Sequence, residues 1–235
     1  MHIQNNANCS RADFVGKSSS LPGDSLPAGP VAPIAAVQSR AAGDVLFREG
    51  DPADNVYEVL NGMVRLYKLL PDGRRQITGF LSRGNLLGLA PEGVCVFTAE
   101  TVTEVTLSCY RRKTFERLID ELPGFARRLL AVASHELNAA QDQMLLLGRK
   151  TASEKVASFL LMMADRPRGK GDGGEIPMTR GDMADYLGLT IETVSRTLTK
   201  MRQDGLIAIP SPAQIEIVDR IRLQVLAAGE GAGIN

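Results

Sequence analysis

The chain of 235 residues contains no tryptophan, two histidines and three cysteines, and its charge sums to zero. Each scarcity removes a class of function. Cys9, Cys95 and Cys109 are too few and too widely spaced for a disulfide framework or a zinc-ligand pattern, and they point to a reducing, cytoplasmic setting. No histidine lies between residues 40 and 112, which argues against a metal-binding barrel there. No run of about 18 apolar residues is present, so neither a transmembrane helix nor a membrane partner is expected. The opening MHIQNNANCSRADF lacks the apolar core of a signal peptide. The 27 basic and 27 acidic residues lack the excess of a protein that binds nucleic acid by charge alone. Any nucleic-acid binding must come from a local, directed surface. Gly16-Lys17-Ser18 ends like a phosphate-binding loop, but the position needing the upstream glycine holds Arg11. With no metal triad, nucleophile–base pair or phosphate loop, the chain does not read as an enzyme, and no metal or cofactor is expected.

What is present divides the chain into segments. Residues 1–38 are rich in Ser, Pro, Gly and Asn, a composition that buries too little surface to offset ordering entropy. They read as a disordered or loosely docked tail. Over 39–113, short β-prone runs (DVLF, VYEVL, GMVRLYKLL, RQITGF, VCVFTAE, EVTLSCY) alternate with glycine turns, as in an antiparallel sandwich or roll. LPDGRR reads as a tight hairpin whose Asp72-Gly73 supplies the positive φ angles. Cys95 and Cys109 fall within apparent strands, either as small buried hydrophobes or in a redox or ligand role. Residues 114–149 read as helix. Ala126, Leu130, Ala133, Leu137, Ala140, Met144 and Leu147 recur at alternating spacings of four and three, an apolar heptad seam. Such a seam either packs on its own core or joins two copies, and its small-large alternation favours a homodimer. Thr151-Ala152-Ser153-Glu154 is a capping-box pattern opening the next helix.

The densest signal lies in TRGDMADYLGLTIETVSRTLTKMRQDG, residues 179–205. Thr179 is placed to cap a first short helix and Thr190 a second. Ala184, Gly188 and Val194 fall where a helix-turn-helix needs a small residue, a positive-φ turn and an apolar seal. GLIAI and AQIEIVD supply a wing. Residues 150–228 therefore read as a winged helix-turn-helix and 229–235 as a flexible tail. The fold class is α+β: a jelly-roll-like antiparallel β-roll, a long dimerisation helix and a winged helix-turn-helix. On the second helix, Glu192, Ser195 and Arg196 share one face, opened by Ile191. Arg196 can donate twice to guanine O6 and N7, and Glu192 can accept from cytosine N4. Ser195 can approach a neighbouring base, and Ile191 suits a thymine methyl. The carboxylate is also placed to fix the guanidinium before docking. Thr179, Arg180, Thr190, Thr193, Thr197 and Lys200 flank that face and suit phosphate contacts that set register. A solvated Glu–Arg pair is the plainer alternative.

RLYKLLPDGRRQITGF and MADYLGLTIETVSRTLTKM resemble the Crp/Fnr superfamily of bacterial transcription regulators over roughly residues 40–228. Within it, Glu192, Ser195 and Arg196 match the Fnr-type reading signature, which implies a palindromic operator close to TTGAT-N4-ATCAA. The Crp type has an arginine where this chain has Ile191 and a glycine where it has Ser195. Cys9 alone stands in the region where Fnr clusters its iron–sulfur ligands, and GNLLGLAPEGVCVFTAE lacks the Gly-Glu and Arg-Ser pairs of the Crp cyclic-nucleotide pocket. The resemblance thus narrows to the FixK branch. It implies an activator of low-oxygen respiration or nitrogen-metabolism genes, without a built-in cofactor. It further implies contact with RNA polymerase, for which Asp72, Gly73, Arg74 and Arg75 are either the activating surface or a solvated hairpin. An effector-gated sensor whose β-roll binds a small ligand or redox signal is the competing expectation.

Overall fold

The computed structural model describes residues 35–90, 93–166, 176–211 and 214–229. The expectations for residues 1–34 and 230–235 lie outside that range. Two four-stranded antiparallel sheets form the N-terminal half. One runs β1 (Ala36–Arg40), β8 (Val105–Arg111), β3 (Asn55–Asn61), β6 (Leu86–Leu87). The other runs β2 (Val45–Phe47), β7 (Thr98–Thr101), β4 (Val64–Leu69), β5 (Arg75–Leu81). Val59, Val64, Leu81, Leu87, Ala99, Val105 and Leu107 fill the space between them, all buried. Alternation along β3 and β8 puts such residues on one face, as a half-buried strand requires. Each valine or leucine burial stabilises by about 1.5–3 kcal/mol relative to exposure.

Two strand boundaries differ from expectation. β1 starts at Ala36, inside the segment read as a tail, and it pairs with β8 from Ala36↔Cys109 to Arg40↔Val105. The first half of VCVFTAE is loop: Cys95 is buried there beside Ala53 and Ala90, and the strand begins only at Thr98. Cys109 does lie in a strand, half-buried. Burial pushes both thiols above their usual range, which keeps them protonated and weakly nucleophilic. The hairpin of β4 and β5 forms as read, but Asp72 keeps an ordinary φ; Gly73 alone is left-handed, at φ +84°. Its N–H bonds to the Leu70 carbonyl at 2.9 Å, the three-residue loop in which a glycine follows the turn.

The expected long helix is two. α1 (Arg112–Glu121) ends at Leu122, and α2 (Pro123–Arg149) begins with proline in the first turn, where its missing N–H costs nothing. α2 runs 27 residues with Phe125, Val132 and Leu146 buried on one side. Ala133, Leu137, Ala140 and Met144 stand exposed on another, with Leu130. Ala126 is half-buried, and Leu147 turns inward, packed against the C-terminal core. α3 (Ala152–Ala164) opens on the expected capping box of Thr151 and Glu154. α4 (Arg180–Leu187), α5 (Ile191–Gln203), β9 (Ile207–Ser211), β10 (Gln214–Ile217) and α6 (Arg220–Ala228) complete the described elements, with β9 and β10 paired as the wing. The C-terminal core is continuous with the β-roll: Met63 and Ile77 are buried in the same cluster as Phe159, Leu160, Leu187 and Leu198.

Candidate nucleic-acid interface

Two helices and a left-handed turn build the candidate surface. Thr179 caps α4: its hydroxyl accepts from the Asp182 N–H at 3.0 Å, while the Asp182 carboxylate accepts from the Thr179 N–H at 3.1 Å. α4 ends at Gly188 with φ +62°, a conformation costing an L side chain roughly 1–2 kcal/mol. α5 then starts from Thr190, whose hydroxyl accepts from the Thr193 N–H at 3.2 Å. Ala184 and Val194 are both buried at the crossing of the two helices. The spacing that identified the motif is therefore realised at all three positions.

α5 is sharply two-sided. Val194, Thr197, Leu198 and Met201 are buried; Ile191, Glu192, Arg196, Thr199 and Lys200 are exposed, with Ser195 half-exposed among them. Ser195 Oγ accepts from Arg180 on α4 at 3.4 Å, and Arg196 donates to Thr193 Oγ1 at 3.4 Å. Glu192 is not held by Arg196 as expected. Hydrogen bonds from its own backbone N–H and the Thr190 hydroxyl keep its carboxyl below the usual range, with Arg196 a smaller influence. The guanidinium therefore stays free of a carboxylate partner and able to present its fork outward. Thr197 corrects another expectation. It is 8% exposed and donates its hydroxyl to the Thr193 carbonyl at 2.8 Å, so it cannot reach a phosphate. Thr179, Arg180, Thr190, Thr193 and Lys200 remain at or near the surface around the row.

The hairpin tip divides. Asp72 and Arg74 pair with each other at 2.7 Å, both largely exposed. Arg75 is instead turned into the molecule, onto Asp185 at 2.8 Å and Asp182 at 2.6 Å, both on α4. Burial opposes its charge, but the bonds and charges of Asp185 and Asp182 outweigh that and push the guanidinium further up. This contact removes Arg75 from any free activating surface. Sequence reasoning missed it, along with Arg65, which reaches Asp182 at 3.0 Å from β4.

Residues 154–226 match the Crp-like helix-turn-helix domain, and residues 37–121 the cyclic nucleotide-binding domain. The nitrogen fixation regulation protein FixK of Bradyrhizobium diazoefficiens is 47% identical over 191 residues, 80% of either chain. The chain belongs to the Crp/Fnr family, in its FixK-like branch. The transcriptional activatory protein AadR of Rhodopseudomonas palustris is also 47% identical, over 79% of this chain and 78% of its own. The structure of FixK2 from Bradyrhizobium japonicum superposes with a TM-score of 0.76 at 40% identity, covering 82% of this chain and 97% of that one. As a Crp/Fnr regulator, the chain is a DNA-binding transcription regulator, and the exposed face of α5 lies in its DNA-binding domain. Among the described residues, no helix of this FixK-like protein is long and apolar enough to cross a membrane. No group of three or more His, Cys, Asp or Glu among them is placed to hold a metal.

Proposed function

We propose that the protein is a homodimeric activator that reads a palindrome close to TTGAT-N4-ATCAA and controls genes of low-oxygen respiration or nitrogen metabolism. The observation that carries the reading is the outward row of Ile191, Glu192, Ser195 and Arg196 on a helix whose opposite side is buried. Arg196 reads guanine and Glu192 its cytosine partner. Ser195 approaches a neighbouring base, and Ile191 covers a thymine methyl. Arg180, Thr190, Thr193 and Lys200 hold the flanking phosphates, whereas the N–H and hydroxyl of Thr179 both go to Asp182 and leave it no donor for one. The names of the FixK relatives, nitrogen fixation regulation proteins, supply the gene class.

Homodimerisation rests on the α2 seam. Leu130, Leu137 and Met144 are 69%, 60% and 64% exposed, an apolar stripe that a lone chain leaves in water. Two-fold pairing along it sets two reading heads toward half-sites about 34 Å apart. The exposed tip of Asp72, Gly73 and Arg74 is the surface offered to RNA polymerase. The reading includes no effector, as the resemblance to the FixK branch implies.

The test is binding of purified protein, in air and at stated salt, to duplexes carrying TTGAT-N4-ATCAA or the Crp-type TGTGA palindrome. Tight binding to the first alone supports the reading. Binding that appears only on adding a small ligand or reductant overturns the effector-free part and makes the β-roll a sensor.

A further inference from the structure

The ionic contacts between β-roll and α4 form one connected group. Asp182 sits at its centre with 2% of its side chain exposed. Its Oδ2 accepts from the N–H and hydroxyl of Thr179, closing the cap of α4. Its Oδ1 accepts from Arg65 Nη1 at 3.0 Å and Arg75 Nη2 at 2.6 Å. Arg75 Nε goes on to Asp185, and Arg65 Nη2 to Glu100 on β7. Gln76, next along β5, donates to the Tyr186 carbonyl at 3.4 Å. Arg65 Nε is buried without a hydrogen-bond partner, a cost accepted while the guanidinium spans two carboxylates.

This arrangement does more than adhere. Beside it, Phe80 packs on Phe159 and Tyr186, with ring centroids 5.9 and 5.5 Å away. These edge-on and tilted ring contacts have preferred geometries of their own, and the ionic group adds a further constraint on direction. A guanidinium fork on two carboxylates one turn apart admits a single rotation of α4 about its axis. α4 in turn carries α5 through the short Gly188 turn, so its orientation is also that of the reading face. The covalent path between the halves runs through Lys150 and Thr151, the two non-helical residues between α2 and α3.

We propose that Arg65, Arg75, Asp182 and Asp185 form a clasp that fixes the angle of each reading head on its β-roll, and so sets the half-site spacing a dimer accepts. They are positioning residues that touch no DNA. The proposal rests on the dimeric, palindrome-reading function argued above.

The test uses the full chain with Arg75→Gln, Arg75→Lys, Asp185→Asn and the Arg75→Gln/Asp185→Asn pair. Asp182 is left intact because its loss would also uncap α4. Each protein is titrated onto duplexes with three-, four- and five-base spacers and onto a single half-site, alongside thermal melts and sedimentation. The wild type should prefer one spacer. Arg75→Gln and Asp185→Asn should each erode that preference by about tenfold while leaving base preference within the half-site unchanged. Their effects should not add in the pair, as expected for one shared network. Arg75→Lys, which keeps the charge and loses the fork, should fall between. Equal weakening on all spacers with the preference intact would reduce the clasp to a stabilising contact and overturn the proposal. A wild type that sediments as a monomer and shows no spacer preference would instead sink the dimeric reading, and the clasp's role with it.

Discussion

Leu137→Glu separates the two faces of α2. Leu137 is 60% exposed in the chain alone, so the substitution removes little internal packing. Leucine and glutamate have similar helix propensities, and the folded monomer should change by no more than about 0.5 kcal/mol. The dimer should respond otherwise. Full burial of leucine stabilises by about 1.5–3 kcal/mol, so covering its exposed part is worth about 1–2 kcal/mol. A two-fold interface contains the residue twice, giving roughly 2–4 kcal/mol. Dimer affinity should fall by roughly 30- to 1000-fold, and two facing carboxylates add repulsion. Sedimentation across a concentration series reads that shift, and palindromic DNA should lose its advantage over a half-site. Val132→Glu is the contrast: Val132 is 7% exposed on the inner side of the same helix, and burying a carboxylate there should lower the melting temperature strongly. An unchanged dimer constant for Leu137→Glu, or a melting loss as large as that of Val132→Glu, would refute the assignment of the seam.

Three further outcomes are expected. Gly62→Ala should cost more stability in urea than Gly188→Ala. Both sit at positive φ, but a Cβ at Gly62 would overlap the Glu104 carbonyl and lie 2.7 Å from Val105 Cγ1, whereas at Gly188 it meets only Leu147 at 3.6 Å; equal costs would show that the strand turn yields freely. Arg196→Ala should lose about 1–3 kcal/mol per half-site and relax selection at the G·C pair, while Lys200→Ala should weaken all sequences alike and flatten the salt dependence, both readable in binding isotherms. Burial pushes the Tyr186 hydroxyl up to about 12. Above pH 10 the unfolded chain releases this proton and the folded one keeps it, so its contribution is intact below about 10 and falls by about 1.4 kcal/mol per pH unit until about 12; Tyr186→Phe should remove that part of the alkaline loss seen in melts.

Local rules made the reading head legible. The caps at Thr151, Thr179 and Thr190 and the turn at Gly188 depend on neighbours three or four residues away, within reach of spacing arguments. Thr197 was legible too: Val194, Thr197, Leu198 and Met201 follow the helical period, and reading threonine as polar hid the match. β1 carried no such signal. Its side chains are mostly exposed, and it exists because β8 offers a paired edge some 70 residues away in the chain. The hairpin tip was partly legible. Its turn is local, but Arg75 meets Asp185 across 110 residues, and no pattern in composition or period announces such a pair.

The burial of Met63 and Ile77 among the residues of the winged helix bears on how such proteins can be recombined. A gene spliced at residue 150 would join a β-roll and a reader that each present a raw apolar face, shaped for a lost neighbour. Phe80, Phe159 and Tyr186 would meet foreign side chains, and the guanidinium of Arg75 would meet whatever stood at position 185. A workable chimera would have to carry the stretch from Met63 to Leu81 together with the reader it grips. In such a chimera the hairpin and the helix pair would have to travel together, not as an interchangeable head.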